Sequence, residues 1–174
     1  TEQGTSLLKD IYEGTTSSRP DYLTCCGDFG LFCAEDEVNG RELWRTDGTA
    51  DGTFILKDIA PGPASSYPAH LEFADGYTFF VANEIADREA LWVTRGTAES
   101  TRCVYVSESA EEYIRILGTS QGKCYFFAGS GIWGTDGSVQ GTKLLNNSRI
   151  LEPLFARNGY LYFASDLRLW RLNI

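Results

Sequence analysis

The stretch "GRELWRTDGTADGTFILKDI", residues 40–59, contains the features that decide the fold. A short apolar segment ending at Trp44 is followed by the turn sequence "TDGTADGT", and a second apolar segment, "FILKDI", comes next. Aspartate side chains accept hydrogen bonds from nearby backbone N–H groups, and glycine adopts backbone angles that other residues avoid. The stretch therefore predicts two β-strands joined by a tight turn.

The same pattern recurs along the chain in weaker form, as "REALWVTRGTAEST", "GIWGTDGSVQGT" and finally "LRLWRLNI". The four tryptophans, Trp44, Trp92, Trp133 and Trp170, mark the copies. Self-similarity at intervals of this size indicates a repeat architecture. We divide the chain into repeats at about residues 1–48, 49–96, 97–137 and 138–174.

Each tryptophan is preceded by a predicted hairpin: "GDFGLFCAE", "DGYTFFVAN", "QGKCYFFAG" or "NGYLYFASD". Asp75-Gly76 and Asn158-Gly159 are typical of type I′ turns, in which both central residues need positive φ. An aliphatic residue marks each preceding first strand: Leu23, Leu71, Leu117 and Leu154. Four strands in each repeat predict an all-β fold, a small β-propeller with four blades of four antiparallel strands in one domain over residues 1–174.

The segment "TSLLKDI", residues 5–11, is a fourth copy of the last strand of the repeat, but it lies at the start of the sequence. We expect Thr5–Ile11 to pair with Arg168–Asn173, which would complete the last blade and cover two strand edges. Pairing within one chain is the favoured arrangement. An open part of a longer array and pairing between neighbouring chains are the alternatives.

The sequence "RELWRTDGTADGT" resembles the repeat signature of the ELWxxDGT-repeat proteins, which are large extracellular proteins of bacterial type. The match in the first repeat comprises Glu42, Leu43, Trp44, Asp47, Gly48 and Thr49. Later copies depart from it, since Ala90 and Arg95 replace Glu42 and Asp47, and Ser100 replaces Gly52. The resemblance covers nearly the whole chain and implies a β-propeller. It implies no function, because the family has no agreed activity.

Charge and composition narrow the possible partners and locations. The net charge of −9 opposes binding to nucleic acid, which requires clustered Lys and Arg. No apolar run approaches the roughly 20 residues that a membrane-spanning helix needs. The sequence lacks Met and begins at Thr1, from which we expect that a targeting segment has been removed and that the protein is extracytoplasmic, either secreted or in an organelle lumen. Peripheral association with a membrane complex is compatible with this expectation.

Residues with catalytic or metal-binding chemistry are sparse. His70 is the only histidine. The acidic runs Glu35-Asp36-Glu37 and Glu111-Glu112 could serve glycoside hydrolysis, but we interpret them as solvated loop charge. Asp47 and Asp51 bring oxygen atoms together in one turn and are weak candidates for a cation site, with a turn-holding role as the preferred interpretation. We therefore expect no catalytic residue, no cofactor and no metal.

The cysteines and tryptophans have structural interpretations. Most of the five cysteines replace apolar strand residues of other repeats, so we expect buried free thiols rather than a disulfide framework. A tryptophan at the same point of every repeat is expected to pack between blades rather than to form a ligand cage.

The preferred function is a noncatalytic interaction or scaffold module, an accessory subunit of a larger assembly of protein subunits. A glycan-binding protein or a glycoside-directed enzyme is the alternative. The loops that lead from each fourth strand to the next first strand differ most, and loops on a rigid scaffold commonly carry recognition. We expect the partner-binding residues to lie there: Tyr12, Tyr67, Glu111, Glu112 and Tyr113.

Overall fold

The structure is a computed structural model that describes residues 3–84, 88–147, 152–165 and 168–174. In these ranges the chain forms fifteen β-strands in four antiparallel sheets, so the predicted all-β class is confirmed. No helix among the described residues is long and apolar enough to cross a membrane.

The strands follow the chain from one sheet to the next, and within each sheet neighbours in sequence are neighbours in space. Sheet 1 contains β1 (Asp21–Cys25), β2 (Gly30–Asp36), β3 (Gly40–Thr46) and β4 (Phe54–Lys57). Sheet 2 contains β5 (Ala69–Ala74), β6 (Tyr77–Asn83), β7 (Glu89–Thr94) and β8 (Arg102–Val106). Sheet 3 contains β9 (Ile114–Ser120), β10 (Lys123–Ala128), β11 (Gly131–Thr135) and β12 (Lys143–Asn146). Sheet 4 contains β13 (Glu152–Arg157), β14 (Tyr160–Ser165) and β15 (Arg168–Asn173).

The hairpin turns have the geometry that the sequence predicts. Asp75 and Gly76 have φ of 50° and 80°, and Asn158 and Gly159 have φ of 52° and 75°. Positive φ at both central positions is the mark of the type I′ turn, whose twist matches that of the flanking strands. The two predicted type I′ turns are confirmed.

The first strands of sheets 1 and 2 contain β-bulges that the sequence does not predict. The register of β1 against β2 shifts between Asp21 and Thr24, and Tyr22 has a positive φ of 52°. His70 in β5 has a φ of 56° at the equivalent shift. Because a bulge re-aims the neighbouring side chains, Leu23, which the sequence predicts to anchor β1, is 75% exposed.

The four sheets stack face to face in chain order, with an apolar cluster between each pair of neighbours. The first strands β1, β5, β9 and β13 adjoin one another in that order, as the inner strands of blades do. The aliphatic residue before each of the first three tryptophans faces the following sheet, and these residues, Leu43, Leu91 and Ile132, are completely buried there. Burial of each such side chain contributes about 1.5–3 kcal/mol to the stability of the stack.

The tryptophans of the second and third repeats face the preceding sheet. Trp92 lies in the cluster between sheets 1 and 2, and Trp133 packs at the cluster between sheets 2 and 3. Trp44 lies in a smaller cluster on the outer face of sheet 1. Trp170 in sheet 4 is 46% exposed. The expected packing between neighbouring sheets therefore holds for Trp92 and Trp133, whereas Trp44 is buried on an outer face and Trp170 is partly exposed.

The predicted fourth blade differs from the other three. Sheet 4 has three strands in the part of the chain that the structure describes, and the series of sheets is open rather than closed into a ring. The expected pairing of Thr5–Ile11 with Arg168–Asn173 is absent, since residues 5–11 form no strand. The physical reason is that the series of sheets is open, so β15 is not beside this segment; the segment instead lies at sheet 1, where Lys9 donates hydrogen bonds to the carbonyl oxygens of Ala50 (3.2 Å) and Thr53 (2.5 Å).

The five cysteines are free thiols. Cys26, Cys33 and Cys124 are buried and Cys103 is half-buried, as the sequence predicts, whereas Cys25 is exposed. Burial raises the pKa of Cys33 and of Cys103 to about 12. These two thiols are therefore protonated at neutral pH and are poor nucleophiles, because the thiolate is the reactive form.

Candidate functional site

The strand order places the connections on two opposite rims of the stack. We call the short connections 26–29, 47–53, 75–76, 95–101, 121–122 and 136–142 the turn rim. We call residues 12–20, 37–39, 58–68 and 107–113, which lie at the other ends of the strands, the loop rim. The expected partner-binding residues belong to the loop rim. The loop between β12 and β13 lies largely outside the described residues.

A buried carboxylate organises the loop at residues 58–68. Glu42 in β3 is completely buried and accepts hydrogen bonds from the backbone N–H groups of Ile59 (3.1 Å), Ala60 (3.2 Å) and Ser66 (3.0 Å). The Ser66 hydroxyl donates a fourth bond, at 2.5 Å. Burial raises the pKa of Glu42, and these four hydrogen bonds oppose that shift. One side chain thus fixes both ends of the loop.

Tyr67 follows this anchor directly. The backbone N–H groups of Ser66 and Tyr67 both lie against the Arg41 carbonyl oxygen, at 3.2 and 3.4 Å, and the Ser66 carbonyl accepts a bond from Asn83 N–H at 2.7 Å. Tyr67 has a φ of 49°, and its side chain is 61% exposed. A left-handed backbone in a non-glycine residue costs roughly 1–3 kcal/mol and persists only where the surroundings hold it. The tyrosine ring is therefore held out into solvent on a fixed backbone.

The loop at residues 107–113 is organised in a similar way by a different carboxylate. Glu112 accepts a hydrogen bond from the Tyr105 hydroxyl at 3.0 Å and another from the Glu108 N–H at 2.7 Å. Tyr113 is 57% exposed, and its ring centroid lies 5.9 Å from that of Phe127. Of the two predicted acidic residues, Glu111 is exposed and Glu112 is engaged within its own loop.

The expected partner-binding residues thus differ in their availability. Tyr67, Tyr113 and Glu111 present exposed side chains on the loop rim. Tyr12 is half-buried and follows Ile11, which packs against the outer face of sheet 1. Glu42 is the residue that sequence reasoning missed. The signal for it was its place in the "ELW" segment of the repeat, which indicated a strand but not the buried role of its carboxylate.

The two weak candidates for a cation site, Asp47 and Asp51, lie on the turn rim. Asp47 has a structural role in its turn. The Asp47 carboxylate accepts bonds from the Thr49 N–H (2.9 Å) and the Thr49 hydroxyl (2.7 Å), which lower the pKa of Asp47. A Cβ atom on Gly52 would lie 2.0 Å from this carboxylate, so the turn closes around it. Asp51 is exposed. Among the described residues, no group of three or more His, Cys, Asp and Glu side chains could hold a metal ion.

The departures of the second repeat from the turn sequence have a common explanation. The Ser100 hydroxyl accepts hydrogen bonds from the N–H groups of Arg95 (3.1 Å) and Thr97 (3.2 Å). It provides the acceptor that the Asp47 carboxylate provides in the first repeat. Arg95 and Ser100 therefore replace Asp47 and Gly52 as a pair, and the turn keeps its hydrogen bonds.

The residues considered for catalysis are dispersed. His70 is exposed at the bulge in β5, with its ring centroid 6.1 Å from that of Tyr22. Asp36 accepts bonds from the N–H groups of Val38 (3.0 Å) and Asn39 (2.6 Å), so it caps the β2–β3 turn. Glu35 lies 3.9 Å from the Arg19 guanidinium. Each of these carboxylates thus has a local partner on its own part of the fold.

Comparison with known proteins adds no relationship to these observations. No model of a known protein family matches the chain, and no curated protein matches it either. The fold defines the chain as an all-β protein of four blade-like antiparallel sheets.

Proposed function

We propose that this protein is a noncatalytic β-propeller interaction module whose loop rim binds another protein, as an accessory subunit of a larger extracytoplasmic or organelle-lumen assembly. The observation that carries the proposal is Tyr67, a tyrosine that is 61% exposed on a backbone fixed by the buried Glu42. An exposed aromatic ring on a rigid support binds a protein surface at low entropic cost, because little ordering remains to be done on binding.

The proposal includes the finer architecture. The four sheets are the blades of a propeller, and the segment 5–11 has the sequence of a fourth strand, the one that the three-stranded sheet 4 lacks among the described residues. The face-to-face stacking of the sheets and the succession of the first strands β1, β5, β9 and β13 support the blade arrangement. The likeness of "TSLLKDI" to "TFILKDI", which contains β4, supports the role of the segment.

The chemistry of the loop rim favours a protein partner over a small substrate. Tyr113 is a second exposed tyrosine at 57%, and Glu111 adds an exposed carboxylate beside it. A net charge of −9 favours a partner with a basic surface, because complementary charge accelerates association and rejects acidic competitors. The carboxylates that a glycoside hydrolase would need are bonded within their own turns and loops, as Asp36 and Glu112 are.

The test is a capture experiment with matched variants. The immobilised protein is incubated with an extract of its source, and the retained proteins are quantified by mass spectrometry for the wild type, for Tyr67→Ser with Tyr113→Ser, and for Val139→Ser. Val139 is the matched control, since it is 63% exposed on the turn rim. We expect the tyrosine variant to lose at least tenfold in retention of a defined partner and Val139→Ser to retain it.

Thermal unfolding of each variant separates binding from folding. Exposed substitutions change the free energy of unfolding by about 0.5 kcal/mol or less, so both variants should melt as the wild type does. Loss of the partner on Val139→Ser, with full retention by the tyrosine variant, would place the interface on the turn rim. Binding to a panel of oligosaccharides that the tyrosine substitutions abolish would favour the glycan-binding alternative.

A further inference from the structure

The last sheet of the series presents a face that resembles the buried faces of the others. The residues before the first three tryptophans, Leu43, Leu91 and Ile132, are completely buried against the following sheet. Leu169 has the same place in sheet 4, and it is 69% exposed. This exposure is what the position would show if the sheet that normally covers it were missing.

The outer face of sheet 1 has the residues that receive a preceding sheet. In sheet 2, Phe80 and Trp92 face sheet 1, with ring centroids 6.3 Å apart. In sheet 1, Phe32 and Trp44 have the same places in β2 and β3, with ring centroids 6.4 Å apart. An alanine lies beside each pair, Ala82 in sheet 2 and Ala34 in sheet 1. Sheet 1 therefore has a receiving face of the same composition as that of sheet 2.

Two residues of the segment 5–11, Lys9 and Ile11, contact sheet 1 at places that match those of a fourth strand. Ile11 and Ile59 both end the sequence "LKDI". Ile59 packs in the cluster between sheets 1 and 2, and Ile11 packs in the outer cluster of sheet 1. Ile11 therefore meets sheet 1 as Ile59 meets sheet 2.

A second contact supports the same correspondence. Lys9 donates hydrogen bonds to the carbonyls of Ala50 and Thr53 in the turn of sheet 1. Lys57, the equivalent lysine, lies near Glu99 in the matching turn of sheet 2, where hydrogen bonds within the turn and then the Lys57 charge lower the pKa of Glu99. The two lysines thus lie toward equivalent turns of successive sheets, and Lys9 is hydrogen-bonded to its turn.

We infer that a second copy of this chain binds head to tail, placing its sheet 4 on the outer face of sheet 1 and pairing its β15 with the segment 5–11. The occupant is a second copy rather than the same chain, because among the described residues the series of sheets is open and sheet 4 packs on sheet 3 but not face to face on sheet 1. Leu7 is 81% exposed in the single chain, and a neighbouring strand in the proposed contact would cover it.

Two such contacts related by a twofold axis close a ring of two copies and eight sheets. β-Propellers typically contain four to eight blades, so eight sheets are within the range that this geometry tolerates. Each copy contributes its sheet 4 to one contact and its segment 5–11 to the other, which leaves neither end open. This inference concerns assembly and stands independently of partner binding by the loop rim.

The pairing of β3 with β4 fixes the register of the proposed contact. Leu43 lies opposite Lys57, and Arg45 lies opposite Phe54. The same register in the contact between copies places Leu169 opposite Lys9 and Arg171 opposite Ser6. Directly opposed residues on antiparallel strands are close enough for a disulfide. The pair Ser6 and Arg171 is therefore a specific probe of the contact.

The test introduces Ser6→Cys and Arg171→Cys on separate chains, in a background in which the exposed Cys25 is changed to Ser. The two purified variants are mixed, oxidised and separated on a denaturing gel without reductant. We expect a covalent dimer, at twice the mass of the 19.3-kDa chain, from the pairs that contain one copy of each variant. Ser6→Cys mixed with Arg168→Cys, which is three residues out of register, is the matched control and should give at least tenfold less dimer.

Sedimentation provides a second measurement without any new cysteine. The wild type should sediment as a dimer, and Leu169→Asp should sediment as a folded monomer, while Val139→Asp, at an equally exposed turn-rim position, should remain a dimer. A monomeric wild type would overturn the inference. A Ser6→Cys, Arg171→Cys double variant that gives only an internally crosslinked monomer would also overturn it, in favour of closure within one chain.

Discussion

The turn rim and the loop rim use their polar groups in opposite ways. On the turn rim, the first and third repeats use the same bonds, since Asp47 and Asp136 each accept from the backbone and hydroxyl groups two residues on. On the loop rim, the acceptors differ from loop to loop, as Glu42 and Glu112 show. The polar groups of the turn rim bond within their own turns, whereas those of the loop rim hold loops whose tyrosines are exposed.

This difference shows which parts of the repeat specify fold and which are free to specify a partner. Some residues, such as Asp47 and Gly52, recur in the turn sequences because the turn packs around the Asp47 carboxylate. The segments that do not recur carry Tyr67 and Tyr113. In this protein, the strongest sequence signal therefore marks structure, and the weakest marks the surface proposed for recognition.

The largest expected effect comes from removing the anchor of the loop rim. Glu42→Ala leaves the N–H groups of Ile59 and Ala60 and the Ser66 hydroxyl without their acceptor, and each such group costs about 1–3 kcal/mol when it is buried. We expect a loss of about 3–5 kcal/mol in the free energy of unfolding, measured by urea denaturation. Glu37→Ala, at an exposed neighbouring carboxylate, is the control and should change stability by about 0.5 kcal/mol or less. Equal stability of the two variants would contradict the anchoring role.

A smaller effect is expected on the turn rim, where the acceptor can be exchanged. Gly52→Ser in the wild-type turn places a side chain against the Asp47 carboxylate, and such overpacking typically costs about 1–3 kcal/mol. The double variant Asp47→Arg with Gly52→Ser reproduces the pair Arg95 and Ser100 of the second repeat, and we expect it to recover most of the loss. A double-mutant cycle measures this coupling. Additive effects of the two substitutions would show that the turns are not interchangeable.

The smallest effect expected is the acid response of the turn rim. Hydrogen bonds from Thr49 and from Ser138 lower the pKa of Asp47 and of Asp136, respectively. A carboxyl whose pKa is lower in the folded state stabilises the fold above its unfolded pKa of about 3.9 and loses that contribution as the pH falls through the folded value. We expect the free energy of unfolding of the double variant Asp47→Asn, Asp136→Asn to fall less steeply than that of the wild type as the pH drops below about 4. The same pH dependence of the free energy of unfolding in the variant and the wild type would contradict this prediction.

Local patterns in the sequence predict most of the fold. The turn at Asp75-Gly76 and the strands that follow it depend on residues that are adjacent in sequence, and these elements are as expected. The bulges at Tyr22 and His70 are not visible in the sequence, because they arise where the inner strands meet strands of neighbouring sheets. A positive φ at a tyrosine or a histidine also opposes local propensity, so only the tertiary contacts can impose it.

The candidate site is less predictable for a related reason. The exposure of Tyr67 and Tyr113 agrees with their place in loops, but the roles of Glu42 and Glu112 depend on side chains that reach back across the rim. The segment 5–11 is the clearest case in which the local sequence predicts a strand but contacts distant in sequence decide where the segment lies. Its strand sequence is recognisable, but in the single chain Lys9 and Ile11 hold it on sheet 1, away from β15.

The stacking of the sheets in series has a consequence for how the molecule opens. Sheets 2 and 3 have a neighbouring sheet on both faces, whereas sheets 1 and 4 each have one within a single copy. In a linear array of this kind, the stability of each unit depends on the interfaces with its nearest neighbours. Amide hydrogens of β6 and β10 should therefore exchange most slowly, and opening should begin at the end where Leu169 is exposed.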